Sequence, residues 1–452
     1  MKLRSWRTAL LTTLLCALAV PALADGSAPK IDSGDTSWML ASTALVLIMT
    51  PGLALFYGGM VRSKNVLSVL MQSFVACGLV TVQWVLFGYS LAFGPDHNGL
   101  IGDLSWAFMH GVSSYKPDAD YGPTVPAQIY CMFQLMFAII TPALISGAIV
   151  ERMKFSAYCL FMFLWATLVY DPLAHWVWGH NGFLGAHGAE DFAGGSVVHM
   201  SSGFSALTLA MMLGKRKRSE GGEELRPHNL PMTAIGTALL WFGWFGFNAG
   251  SAISSGQLAV SAFTATHVAT GTAAMTWMML DWIFYKKPTA LGFCSGAVAG
   301  LVAITPACGF VTCMGALIIG IAVSCICFMA IKIKNALKAD DALDVFGVHG
   351  CGGLWGCIAT GLFSTVSVNS AAHDGWLNGG TFQSAMVPQL MDAGCTIAIA
   401  VVGTFILGKI VGLVCGGLRA TVDGEEDGLD LADHGEVGYS ADSAGVPAYA
   451  GV

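Results

Sequence analysis

The chain has 452 residues, of which 55% are apolar and 11% charged, with a formal net charge of −7. So little charge excludes an ordinary water-soluble enzyme, and the negative balance argues against a nucleic-acid partner. The composition describes an all-α polytopic membrane protein, and its 56 glycines suit close helix packing.

In chain order, the first segment is Met1-Lys-Leu-Arg-Ser-Trp-Arg7, followed by an apolar run to Val20 and the small-residue site Ala22-Leu23-Ala24. Residues 1–24 read as a signal peptide, which starts the mature chain outside; the alternative is one more membrane helix. Eleven apolar stretches follow, at 38–57, 66–93, 127–150, 155–173, 195–213, 230–248, 259–285, 290–304, 308–331, 345–363 and 386–413. They predict an eleven-helix domain over 25–413 and a cytoplasmic tail over 414–452.

Lysine and arginine test that topology. Three of the 21 lie in the leader, and only Lys30 and Lys116 fall on the outside. The other 16 all fall on segments that the alternation assigns to the cytoplasm, a strong positive-inside bias. The thirteen cysteines sit mostly in apolar helices and imply no disulfide framework. Asp423 to Glu436 gathers seven acids, so the tail carries much of the net negative charge.

Five spans precede the basic loop at Lys215 to Arg226 and five follow it, with one left over. Because five is odd, the second set must be upside down relative to the first. Two inverted five-helix repeats plus a C-terminal helix would place polar groups near the midplane, as many transporters do. One histidine falls in the last span of each repeat: His199 after Asp191, and His349 in Asp344-Val-Phe-Gly-Val-His349. Asp before Gly before His in both supports the repeat, and ionisable groups at membrane depth usually mark a pathway. The bland reading is a satisfied core hydrogen bond, which is the commoner fate of a single histidine. Gly292, Gly296 and Gly300 recur every four residues and predict a close helix contact. His175, His180 and His187 cluster outside but match no zinc spacing, and no metal or cofactor is expected. No Walker pattern occurs, and no nucleophile and base are placed for catalysis, so neither nucleotide-driven pumping nor an enzyme is expected.

Several longer motifs carry a resemblance. They are Pro51-Gly-Leu-Ala-Leu-Phe-Tyr57-Gly-Gly, Phe133-Gln-Leu-Met-Phe137-Ala, Pro227-His-Asn-Leu-Pro231, Gly243-Trp244-Phe-Gly-Phe247-Asn-Ala-Gly-Ser251, Thr305-Pro-Ala-Cys-Gly309 and Asp344-Val-Phe-Gly-Val-His349-Gly. From about Trp38 to Tyr439 the chain resembles the family of ammonium transporters, methylammonium permeases and Rhesus proteins. It is most similar to the bacterial ammonium transporters, because Trp178 and Ser251 occur together with the aromatic pair. The loop Trp178-Gly-His180-Asn-Gly182 departs slightly from the family's glycine-rich run.

The resemblance implies ammonium uptake across the inner membrane, with methylammonium as a second substrate, by a homotrimer with one pore per subunit. It implies an external cation site at Phe137, Trp178 and Ser251, a gate of Phe137 stacked on Phe247, and a pore lined by His199 and His349. Asp191 would shape the vestibule as a helix cap, with proton acceptance the sharper alternative. Tyr57, Trp244, Thr305 and Asp344 would be supporting residues, Asp344 as an anchor in the inner half. The tail, through Gly417-Leu-Arg419 and Gly428 to Glu436, would dock on neighbouring subunits, with a PII signalling protein as partner; a disordered acidic tail is the alternative. Two rival functions remain: an ammonium sensor, whose tail would extend into a signalling domain, and a Rhesus-like neutral gas channel.

Overall fold

The structure is a computed structural model that describes residues 30–217 and 226–439. The leader at 1–24, Arg218 and the last residues of the tail lie outside the described residues. Helices occupy each of the eleven apolar stretches. They are α1 (Ser33–Met60), α2 (Ser63–Phe93), α3 (Ala127–Ile149), α4 (Phe155–Trp165 running through Ala166–Tyr170 into Asp171–Trp178), α5 (Gly195–Leu213), α6 (Leu230–Gly250), α7 (Gln257–Tyr285), α8 (Ala290–Ile304), α9 (Cys313–Ala336), α10 (Phe346–Gly350 running into Cys351–Phe363) and α11 (Phe382–Val414). Eight of them are individually long and apolar enough to cross a membrane; α8 is short, α7 carries five threonines, His267 and Asp281, and α10 opens on a glycine-rich turn.

Helix starts fall at polar caps rather than where the apolar run begins, which explains most boundary differences. Thus α1 starts five residues before the expected 38, because Asp32 accepts the Asp35 N–H at 2.9 Å. Asn229 caps α6 on Met232 N (3.0 Å) with Pro231 in the first turn, and Thr289 caps α8 on Gly292 N (2.9 Å). Helix α3 is apolar on every side, and all of Phe133 to Ile149 is buried, as expected of a helix surrounded by protein. Helix α11 instead exposes Val402, Phe405, Ile406 and Leu413 along one face. The glycine spacing on α8 is a packing seam: a Cβ at Gly296 would lie 2.6 Å from Trp277 Cβ, and one at Gly300 2.7 Å from Ala273 Cβ, both on α7.

Five helices contain a π turn: α2, α4, α5, α10 and α11. Such turns often mark functional positions. Two short hairpins, β1 (Asp96–His97) with β2 (Ile101–Gly102) and β3 (Pro117–Asp118) with β4 (Gly122–Pro126), lie between α2 and α3.

At the opposite end the bundle is tied by charge. Glu151, nearly fully buried, accepts from Arg62 Nε (3.0 Å), Asn65 Nδ2 (3.1 Å) and Arg216 Nη1 (3.3 Å). Arg216 also grips Asp340 with Nη2 at 2.9 Å, and Arg152 stands 3.5 Å from the same carboxylate. The tail then folds against its own chain as α12 (Val422–Asp427) and α13 (Leu429–His434). Asp430 accepts Leu67 N (3.0 Å) and Ser68 N (2.7 Å), so it caps α2, while Asp433 caps α4 at Phe155 N (3.2 Å). These contacts all lie within the tail's own subunit. Neither helix is capped by the side chain at its own N-cap, Asn65 or Lys154, so each borrows a cap from the far end of the chain.

Burial alone would push the Glu151 and Asp340 carboxyls up. The neighbouring Arg216 and Arg62 outweigh it at Glu151, and the hydrogen bonds and charge of Arg216 do so at Asp340, holding both below the usual carboxylate range. A folded value below the unfolded one adds stability that is complete above the unfolded pKa of about 4 and disappears as pH falls through the folded values. The unfolding midpoint in detergent should therefore stay level from about pH 7 to 5 and drop below about pH 4. Arg216→Ala, which takes one of two guanidinium partners from Glu151 and from Asp340, should cost about 2 kcal/mol at neutral pH, as the loss of a hydrogen bond to a charged group does. A level profile down to about pH 3 would contradict this account.

Candidate functional site

The site is built where α5 and α10 cross. The first N–H groups of a helix have no helical acceptor, and at α5 one carboxylate takes four of them. Asp191 Oδ1 accepts Gly194 N and Gly195 N, both at 2.7 Å, and Oδ2 accepts Ser196 N (2.8 Å), Ser196 Oγ (2.7 Å) and Val197 N (3.2 Å). The turn needs Gly194 at φ +114°, a conformation open to glycine. The π turn Gly195–Met200 follows and brings His199 inward. At α10, Asp341 accepts Val345 N (3.1 Å) and Phe346 N (2.8 Å), and the π turn Phe346–Gly350 presents His349.

In both helices the capping aspartate precedes the histidine by eight residues, and a glycine follows it by four. A Cβ on Gly353 would lie 2.9 Å from Gly195 O and 3.0 Å from Met200 N, and one on Gly203 would collide with the Gly350 backbone. The helices can therefore touch at their backbones. Their imidazoles meet with Nδ1 to Nδ1 at 3.2 Å and ring centroids 5.3 Å apart, 1% and 3% exposed. The expected pairing of Asp344 with Asp191 needs correction: the counterpart is Asp341. Asp344 sits at φ +60° with a side chain more than a third exposed, ion-paired to Lys334. Asp344 is nearer to His349 in sequence, but only Asp341 keeps the spacing of Asp191 to His199.

For a neutral pair this contact fixes a division of labour. One Nδ1 must donate and the other accept, so one ring shows a bare Nε2 and the other an Nε2–H. His199 Nε2 has no hydrogen-bond partner in the protein. Both rings line a narrow cavity of about 10 Å³ whose other walls are apolar, among them Leu53, Ile140, Leu144 and Val298. Trp244 lies on His199 with centroids 5.3 Å apart and 23° between planes. Its indole N–H is held by Thr305 Oγ (2.9 Å), which itself donates to Leu301 O (2.7 Å). Tyr57 donates to Leu144 O (3.1 Å) and braces the wall.

Phe247 lies 6.1 Å from His199, and Phe137 lies 4.2 Å from Phe247 at 31°; both phenylalanines are buried and together they shut the way upward. Above them an open cavity of about 310 Å³ is lined by Phe137, Trp178 and Ser251. Ser251 donates its proton to Phe247 O (2.8 Å), which leaves its oxygen lone pairs free to accept. Trp178 is held by its N–H on Asp191 O (2.8 Å) and meets Phe137 edge-on at 6.0 Å. Asp191 itself does not line the cavity; its carboxylate oxygens are turned to backbone.

Sequence reasoning missed Tyr130 and Gln134, which share the wall with Phe137. They lie seven and three residues before it, so helical periodicity would have found them. Asp120 and Tyr121 reach the same wall from the β3–β4 hairpin, and nothing in the sequence ties that loop to the site. His175, His180 and His187 go separate ways, to Asp96 and Ala92 O, to Asp120, and to Phe183 O.

With this geometry in view the comparisons are decisive. Residues 37–439 match the model of the Ammonium Transporter Family. The chain belongs to the ammonium transporter family. It is 52% identical to the ammonium transporter of Bacillus subtilis over 90% of this chain and 98% of that one. It is 44% identical to ammonium transporter Amt1 of Archaeoglobus fulgidus, over 91% and 100%. Among solved structures it is similar to Saccharomyces cerevisiae Mep2, with a TM-score of 0.80 at 36% identity, over 87% of this chain and 88% of that one. It is also similar to a Sensor Amt Protein, with a TM-score of 0.80 at 26% identity over 89% and 98%. The protein is thus a multi-pass membrane member of a transporter family.

The helix crossing can be tested directly. Gly203→Ala should force α5 and α10 apart, lower stability by about 1–3 kcal/mol as overpacking does, and reduce transport at least tenfold. Gly78→Ala, whose added methyl would meet nothing within 4 Å, should leave both unchanged. Equal behaviour of the two variants would show that the close approach is not needed.

Proposed function

We propose that the protein takes up ammonium across the cytoplasmic membrane by capturing the cation outside and passing the neutral amine. The observation that carries this reading is the pair of imidazoles in a closed, otherwise apolar cavity directly beneath an aromatic stack and an outer cavity with a free acceptor. The faces of Phe137 and Trp178 attract a small cation, and the Ser251 oxygen accepts one of its N–H bonds. The ion gives up its proton to water in the open outer cavity, near Phe137 and the Asp191 cap. Ammonia slips through when Phe137 and Phe247 part, and moves along the Nε2 edges of His199 and His349. The proton crosses separately, relayed by the touching Nδ1 atoms of His199 and His349. Methylammonium uses the same route.

On this reading α1–α5 and α6–α10 are the two inverted repeats, all eleven helices cross the bilayer, and the end carrying Arg62, Glu151, Arg216 and the tail faces the cytoplasm. The α5–α10 crossing, with Asp191 and Asp341 each eight residues before a histidine, supports the repeat. Three copies form a trimer with one pore each. Asp191 acts as a cap rather than as a proton acceptor, supported by the five hydrogen bonds that occupy its oxygens. The tail forms a docking platform for a PII protein at the cytoplasmic pore mouth, supported by its ordered α12 and α13.

The sensor reading draws on the likeness to a Sensor Amt Protein, at half the identity shared with the Bacillus subtilis transporter. Solid-supported electrophysiology of reconstituted protein under ammonium pulses separates the readings, since a sensor or a neutral gas channel gives no current. Replacing both His199 and His349 by leucine should abolish that current; undiminished current in the double variant would refute the proton role. For the tail, PII protein should be retained by full-length protein and lost when residues after Arg419 are removed. Retention by the truncated protein would move the docking site elsewhere.

A further inference from the structure

A third cavity, of about 410 Å³, opens at the charged end of the bundle between the ends of α5 and α11 and the root of the tail. Its floor is apolar: Met212, Leu213, Leu413 and Leu418 line it, and Leu413 is 84% exposed. Two cations stand on its rim, Lys409 and Arg419. Lys409 lies over the Phe405 ring at 5.4 Å and has no carboxylate partner among the described residues. Arg419 spends three of its five N–H groups, two on Glu425 and one on Leu213 O (3.0 Å), which leaves two for a further acceptor. The seam between the walls is kept open by Gly412, where an added Cβ would find only Leu418, at 3.6 Å.

We propose that this groove binds an anionic phospholipid, its phosphate between Lys409 and Arg419 and an acyl chain along Gly412, Met212 and Leu413. Each part of the groove asks for a different part of that ligand. A free phosphate would use the cations and leave the apolar walls wet. A neutral lipid would fill the walls and leave Lys409 without its counter-charge. No carboxylate lines the groove among the described residues, and Glu425 beside it is committed to Arg419, so a choline group finds no partner there. Basic pockets between helices at a cytoplasmic membrane surface recur as sites for anionic head groups. Because Arg419 begins the tail and holds Glu425 of α12, the lipid would also steady the tail where it leaves the membrane.

The test uses full-length protein in detergent, titrated with phosphatidylglycerol, phosphatidylcholine and water-soluble glycerol phosphate and read by native mass spectrometry. The tightest bound species should be phosphatidylglycerol, with weaker phosphatidylcholine and no retained glycerol phosphate. Lys409→Gln should weaken phosphatidylglycerol about fivefold, the worth of one cation near such a surface. Gly412→Leu, which fills the seam and keeps both cations, should weaken it at least as much. Both positions are surface sites, so the unfolding midpoint in lipid-free detergent should match that of the unaltered protein. Equal binding of the two lipids, glycerol phosphate bound as tightly as the lipid, or unchanged phosphatidylglycerol affinity in either variant would overturn the proposal.

Discussion

The structure turns on two carboxylates that each hold the start of a helix. A helix end inside a membrane protein leaves donors that neither lipid nor apolar side chains can satisfy. Asp191 and Asp341 take those donors. With the ends satisfied, α5 and α10 begin inside the bundle rather than in water, and a π turn in each swings a histidine toward the other. The backbone contact at Gly203 and Gly353 does the rest. Were either cap absent, the cost of the bare amides would fall on the same few residues that carry the imidazoles, so the polar centre and the fold share one foundation.

How far this was legible depends on the kind of signal. The apolar stretches and the lysine and arginine bias gave the helices and their order, because hydropathy is a property of composition and survives without contacts. Boundaries shifted where caps such as Asp32 decide them. Phe137, Trp178 and Ser251 came from motif resemblance and do share one cavity, and His199 and His349 do touch. Asp341 was missed because its neighbour Asp344 fitted the same loose pattern, although only Asp341 keeps the spacing. Asp120 and Tyr121 could not be placed, since a hairpin's direction is set by tertiary packing. The tail's caps on α2 and α4 were equally hidden, being contacts across more than 270 residues.

The charged end follows a different logic from the polar centre. Glu151 and Asp340 are each shared by more than one guanidinium, which lets them be buried without a stranded charge. Arg216 comes from the loop after α5 and Asp340 from the loop before α10, so the two helices that carry the histidines are also clamped at this end. The tail adds Asp430 and Asp433 to α2 and α4. Movement of the tail would therefore be felt first as lost caps on those helices, and through Arg419 and Leu213 O at the end of α5. That chain of contacts is short enough to link the tail's position to the helix bearing His199.

The proposed division between a cation outside and a neutral guest inside follows from magnitudes. Moving a bare ion into a low-dielectric interior costs on the order of 20 kcal/mol in the idealised limit. Removing a proton from an amine of pKa about 9 to 10 at neutral pH costs only about 3–4 kcal/mol. A cavity walled by Leu53, Ile140, Leu144 and Val298 offers nothing to offset the larger cost, and a neutral imidazole pair offers one donor and one acceptor, the complement of ammonia rather than of its cation. The outer cavity is made the other way round, with aromatic faces and an oxygen whose lone pairs point outward because its proton is spent on Phe247 O. The proposed division thus assigns selectivity for the charged form and permeability to the uncharged one to different rooms, with the Phe137–Phe247 stack as the wall between them.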